Sequence, residues 1–251
     1  MRPLRRDNPA LCLAAALLLG GCVGTDVGNP PDDRRKVATL SFQTYDAETE
    51  VVADPGALTL SDGSQIEHAW LVIESASLVS CDKRTEQTVH GPFVVEVVTG
   101  AIGPRPIVFE DVDDTFCDVR VQLEVAKSLP QSAPSHLVGR TVFVAGHTAD
   151  DVPYTVASDL PRTLSWHGDG LVIDAEENRF VTTFVPTRWL DDIDTRSNSS
   201  DNAPVDLSRD SAAVSRFLAN LLKSSRIVKD ANRDDHISRH EYDRPSARPA
   251  R

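Results

Sequence analysis

The chain has 251 residues, 40% of them hydrophobic and 25% charged, and a formal net charge of −12. That apolar share suffices for one sizeable core, and the length allows one domain with an appendage. The acidic balance excludes tracking of a nucleic-acid backbone and electrostatic docking on anionic lipid.

The first six residues carry Arg2, Arg5 and Arg6. Residues 10–19 form an uncharged apolar run, and Gly20 and Gly21 follow. This order of basic start, apolar run and small-residue exit reads as a secretory signal over residues 1–21. The run is shorter than the roughly 20 residues a membrane-spanning helix needs. The exit ends on Leu19-Gly20-Gly21-Cys22, which resembles the bacterial lipobox. The resemblance implies cleavage before Cys22, acylation of its sulfur and of the new N-terminus, and a place in the bacterial cell envelope, on the periplasmic or cell-surface side. Two or more acyl chains anchor a protein stably, since each buried methylene adds about 0.8 kcal/mol. The partner implied at this end is therefore the membrane itself. Removing three arginines and one aspartate with the signal leaves a mature charge of −14.

Residues 22–35 are rich in Gly, Pro and Asp without periodicity, as in a flexible tether. Residues 36–190 read differently. Ala38, Leu40 and Phe42 alternate with polar neighbours, predicting a half-buried strand. Residues 66–79 are long and apolar enough for a central strand, and 92–98 and 107–109 predict two more. In residues 117–125, Cys117, Val119, Val121, Leu123 and Val125 share one face, and Asp118, Arg120, Gln122 and Glu124 the other. Such alternation implies one buried and one wet face, hence an antiparallel sheet. Further strands are predicted at 141–145, 154–157, 163–166, 171–173 and 179–185. Roughly nine or ten short strands separated by turn residues predict a mainly β fold, an antiparallel two-sheet β-sandwich, with a closed barrel as the alternative. The rhythm of residues 69–78, 92–98 and 119–125 is similar to that of transthyretin-like (prealbumin-like) sandwich lipoproteins.

Four cysteines are present. Cys12 leaves with the signal and Cys22 takes lipid, so Cys81 and Cys117 remain as an even pair in an oxidising compartment. They are expected to form a disulfide, against the alternative of two buried thiols.

Residues 191–205 form an acidic linker with little to bury. Beyond it, Ala212, Ala213, Val214, Phe217, Leu218, Leu221 and Leu222 recur at helical spacing. They predict one amphipathic helix over 209–228, capped by Asp206 or Ser208, within a helix-plus-loop unit of residues 206–243. Residues 244–251 are expected to trail free.

The recognisable chemistry lies in residues 230–241. Asp230, Asn232, Asp234, His236, Ser238 and Glu241 occupy positions 1, 3, 5, 7, 9 and 12 of a twelve-residue run that resembles the EF-hand calcium loop. The resemblance implies side-chain oxygens from Asp230, Asn232 and Asp234, and the backbone carbonyl of His236. It also implies a water held by Ser238, a two-oxygen clamp from Glu241, and the helix above as the entering helix. Asp235 stands where the family has glycine, and no second loop pairs with this one. Weak binding of calcium, as a structural staple rather than a sensor, is the expectation. The other metal reading is zinc on His236 and His240, four residues apart but lacking a third ligand.

No nucleophile elbow, phosphate loop or dinucleotide fingerprint appears. Trp70 is expected in the core, while Trp166 and Trp189 divide between core and a binding face. The sequence thus predicts a lipid-anchored envelope protein that binds or scaffolds, with a protein or glycan partner and no nucleic acid. The alternative is an envelope enzyme of carbohydrate-hydrolase type, and the balance leans away from an enzyme.

Overall fold

The computed structural model describes residues 35–45, 58–60, 62–112, 115–193, 205–234 and 237–250. The signal, Cys22, nearly all of the tether, most of the linker, Asp235 and His236 lie outside them.

The protein is a mainly β, two-sheet sandwich with one amphipathic helix near its C-terminus. The strands are β1 (Val37–Thr44), β2 (Leu58–Thr59), β3 (Gln65–Ser80), β4 (Glu86–Glu96), β5 (Ala101–Gly103), β6 (Ile107–Phe109), β7 (Thr115–Leu123), β8 (Val142–His147), β9 (Pro153–Ser158), β10 (Arg162–Val172) and β11 (Glu177–Phe184). After the linker come β12 (Val205–Asp206), α1 (Ser211–Lys223), β13 (Ser225–Asp230), the single turn α2 (Arg239–Tyr242) and β14 (Arg248–Pro249). The smaller sheet has the order β13-β11-β1-β6, and the larger runs β12-β9-β8-β3-β7-β10-β14 with β2, β4 and β5 beside it.

β3 organises the larger sheet. Its N-terminal half pairs with β8 and its C-terminal half with β7, while β2 and then β4 take the opposite edge. Register shifts near Ile66, Ile73 and Val79 bend it between these partners. β7 alternates as its sequence predicts over Val119, Val121 and Leu123, which are buried; Cys117 is only half-buried, Phe116 is buried out of phase at the strand's start, and Val125 lies beyond its end. Pairing is antiparallel except between β1 and β11 and between β9 and β12, which run parallel. β1 and β11 are separated by most of the chain, so no hairpin fixes their relative direction.

The main core lies between the sheets and includes Leu40, Phe42, Leu71, Ile73, Val121, Trp166, Phe180 and Trp189. Trp166 and Trp189 are fully buried. Trp70 instead joins a smaller cluster on the outer face of the larger sheet, with Val72, Val94 and Phe143, and is only partly buried. The pleat explains this, because Trp70 and Val72 point away from Leu71 and Ile73.

The disulfide joins Cys81 to Cys117 across 36 residues and ties the end of β3 to β7. The segment after the linker is no appendage. α1 buries Val214, Phe217, Leu218 and Leu221 in the main core. The helix is also shorter than 209–228, since residues 225–230 leave it to pair with β11. Its cap is Asp210, whose Oδ1 accepts from the N–H groups of Ala212 and Ala213; Asp206 caps the short turn before it. The last residues do not trail free. β14 pairs with β10, and Ala247 is buried against Ile227 of β13, so the tail touches both sheets. Gly168 permits this approach, since a Cβ there would lie 1.8 Å from the Ser246 carbonyl oxygen.

Candidate metal loop and the groove beside it

The element leading into the 230–241 loop is β13, an edge strand, and not the expected helix. Ile227 and Val228 are β-branched, and the strand makes a six-residue register with β11 that helix continuation cannot match. Two buried indoles fix the junction. Trp189 Nε1 donates to Ser224 Oγ at 3.1 Å, and Trp166 Nε1 to Ser225 Oγ at 2.8 Å. Those hydroxyls donate in turn to the Leu221 and Leu222 carbonyls, closing the helix.

Asp230 ends β13, only 2% exposed, opposite Arg179 of β11. Its Oδ1 accepts from the Arg233 N–H at 2.7 Å. Arg233 takes φ 61°, so the left-handed residue of the described loop sits at position 4. Asn232 Oδ1 accepts from the Asp234 N–H at 3.3 Å, and its amide donates to Asp234 Oδ2 at 2.9 Å. Glu241 then reaches back across the loop. Its Oε1 accepts from the Ala231 N–H at 3.0 Å, and its Oε2 from the N–H and hydroxyl of Ser238 at 2.9 and 2.7 Å. Ser238 Oγ caps α2 in return, completing a reciprocal capping box. Burial alone pushes the Glu241 carboxyl up, the largest single influence, but the Ser238 and Ala231 donors together outweigh it and hold the group below its ordinary value.

The loop folds over the outer face of the smaller sheet. Ile237 and Tyr242 pack on Tyr45, Val181 and Val228. Tyr242 stacks on Tyr45 at 3.8 Å, and the Arg226 guanidinium lies 3.9 Å from the Tyr242 ring centre. The sequence thus brings the first and last loop carboxylates to neighbouring backbone, Asp230 beside Ala231 and Glu241 upon it. Every described residue of the set offers oxygen, which suits a hard cation in kind. Among the described residues no three His, Cys, Asp or Glu side chains stand together as a metal cluster. Both Glu241 oxygens serve loop donors, so an ion must compete with them.

Beside Asp230 a groove of about 300 Å³ runs over the same sheet face. Thr39, Ser41 and Gln43 of β1 form its floor, and Ile102 and Pro106 one wall. Arg179 stands at one end, donating from Nε to Glu177 Oε1 at 3.0 Å and from Nη1 to the Arg233 carbonyl at 3.5 Å. These floor residues read from the sequence only as the wet face of a strand. The 100–106 segment that walls the groove is remote in sequence from β11, so no local pattern announces it.

A wider, shallow cleft of about 690 Å³ is lined by Pro92, Pro104, Arg105, Leu129 and Pro130 among others, without a carboxylate. His167 Nδ1 lies 2.6 Å from Asp118 Oδ1 on the exposed face of β10, and among the described residues no serine, threonine or cysteine hydrogen-bonds to that ring.

No family model matches the sequence, and no curated protein does so significantly. An NMR structure of a protein from Eubacterium rectale aligns over 71% of this chain and 91% of its own, at 13% identity and a TM-score of 0.21.

Proposed function

We propose that this chain is a lipid-anchored protein of the bacterial cell envelope that binds or scaffolds there, with its 230–241 loop stapled by a calcium ion. The Leu19–Cys22 pattern supports the anchor, and a disulfide suits the oxidising exterior to which a secretory signal leads. The observation that carries the calcium reading is the return of Glu241 to the N–H of Ala231, which brings the twelfth position back to the second, next in sequence to Asp230. Asp230, Asn232, Asp234 and Glu241 would hold the ion through side-chain oxygens. Bound there, it pins α2 and the Tyr45–Tyr242 stack to the smaller sheet. Competition from the Ser238 and Ala231 donors, and the strand in place of an entering helix, argue for weak binding, about 10⁻⁴–10⁻³ M.

The test is a calorimetric calcium titration of the soluble mature chain from Val23 onward, beside an Asp230→Ala, Glu241→Ala variant, with thermal melts of both. Heat and a raised melting temperature in the parent alone support the loop. Identical melts and no heat at millimolar calcium sink it. The anchor is tested separately, by metabolic labelling with a fatty acid in a bacterial host: label in the parent must vanish in Cys22→Ser.

A further inference from the structure

We infer that the groove over the smaller sheet is a binding site for a short, uncharged, hydroxyl-rich ligand, the size of one or two sugar rings. This deepens the binding reading above and rests on it, but not on the calcium ion.

The floor is a paired strand: β1 runs beside β11 along its whole length and beside β6 over residues 38–40. Ala38, Leu40 and Phe42 point into the core, so Thr39, Ser41 and Gln43 must line up on the opposite face. Their polar groups are poorly employed. The Thr39 and Ser41 hydroxyls reach the Asn178 and Phe180 carbonyls only at 3.5 Å, the outer limit of a hydrogen bond. Gln43 Oε1 is buried with no donor, so the half-buried side chain must turn for that oxygen to meet a ligand. An acceptor left so is uncommon in a folded protein and calls for a partner. Three side chains that can both donate and accept, set two residues and so about 7 Å apart on one strand, form a ladder that meets hydroxyls on opposite sides of a ring or on neighbouring rings.

Charge selects the class. At the groove's end Arg179 is already engaged by Glu177 and by a backbone carbonyl. Asp230 is buried and takes an N–H from its own loop. An anionic ligand meets two carboxylates there, and a cation meets the guanidinium. A neutral ligand avoids both penalties. Ile102 and Pro106 offer an apolar wall for the C–H face of a ring, and the volume sits at the small end of ligand sites.

The experiment is a ¹H–¹⁵N NMR titration of the soluble mature chain with glucose, N-acetylglucosamine and cellobiose, and with glucuronate and glucosamine as charged counterparts. Shifts from a neutral sugar confined to the amides of Thr39, Ser41, Gln43, Ile102 and Arg179 are expected. Binding should weaken at least about tenfold in a Ser41→Val, Gln43→Leu variant whose melting temperature is unchanged. Should that variant fail to fold, the shift map of the parent decides alone. Shifts only around Pro92, Arg105 and Pro130 overturn the groove while keeping the binding reading. Tighter binding of a charged counterpart overturns the neutral class. No shift with any of the five overturns the inference, and the calcium titration still decides the loop independently.

Discussion

Two regions of this protein reach the same degree of burial by different means. Around β3 and β7 the chain is held by alternation and a covalent bond: Val119, Val121 and Leu123 are fully buried, and Cys81–Cys117 closes the strand pair. Around α1 and β13 the chain changes from helix to strand within two residues, and directed hydrogen bonds from Trp189 and Trp166 to Ser224 and Ser225 mark the change. The first device acts mostly on the unfolded chain, whose freedom it removes. The second acts on the folded one, since a buried indole N–H without an acceptor forfeits its hydration. The same depth of core can therefore have different weak points.

The largest effect should come from the covalent region. Cys81→Ser with Cys117→Ser releases a 36-residue loop and should cost about 3–4 kcal/mol in a urea titration. The slope of that titration should rise too, because the unbridged unfolded chain is more open. A loss under about 1 kcal/mol would mean that strand pairing alone sets this region, and the contrast would fail.

A smaller and more local effect is expected at the junction. Ser225→Ala leaves the Trp166 indole N–H buried without its partner and should cost about 1–3 kcal/mol. Hydrogen exchange separates the two mechanisms. Removing the disulfide should lower the most protected amides throughout, whereas Ser225→Ala should first expose those of α1 and β13. A change within about 0.5 kcal/mol, the range of an ordinary surface site, would reassign the junction to apolar packing alone.

The contrast also explains what the sequence discloses. β7 was legible because alternation is a local signal that burial on one face writes directly into neighbouring residues. The disulfide followed from elimination among four cysteines. β13 was not legible. The apolar spacing of α1 runs up to Leu222, and Ile227 and Val228 extend it plausibly, so only the free edge of β11, 45 residues upstream, shows where helix must end. The loop reads as an EF-hand for the same reason: its oxygen-bearing residues are local, while the strand that leads into it is chosen by a remote partner. The tail shows this most plainly. Arg248 and Pro249 look like a polar end, and what seats them is a missing side chain at Gly168. The groove is likewise a product of two segments that no window of sequence contains together.

The smallest effect belongs to Glu241, at the rim of the hydrogen-bonded region. Its carboxyl is held below the ordinary glutamate value of 4.5 in the fold. A carboxylate whose folded value is depressed contributes stability above its unfolded value and loses that contribution as pH falls through the folded one. With calcium chelated, Glu241→Gln should therefore cost about 0.3–1.5 kcal/mol at neutral pH, the scale of a capping interaction. The gap between parent and variant should close as the solution is acidified below 4.5. Asp82, Asp174 and Asp206 are depressed as well, so the parent's own acid limb is a composite; the difference between the two proteins isolates Glu241. A gap that persists in acid would show that Glu241 acts through its shape and not its charge. The loop would then be closed by packing of Ile237 and Tyr242 on the smaller sheet, and it would resemble the β3–β7 region more closely than the junction it adjoins.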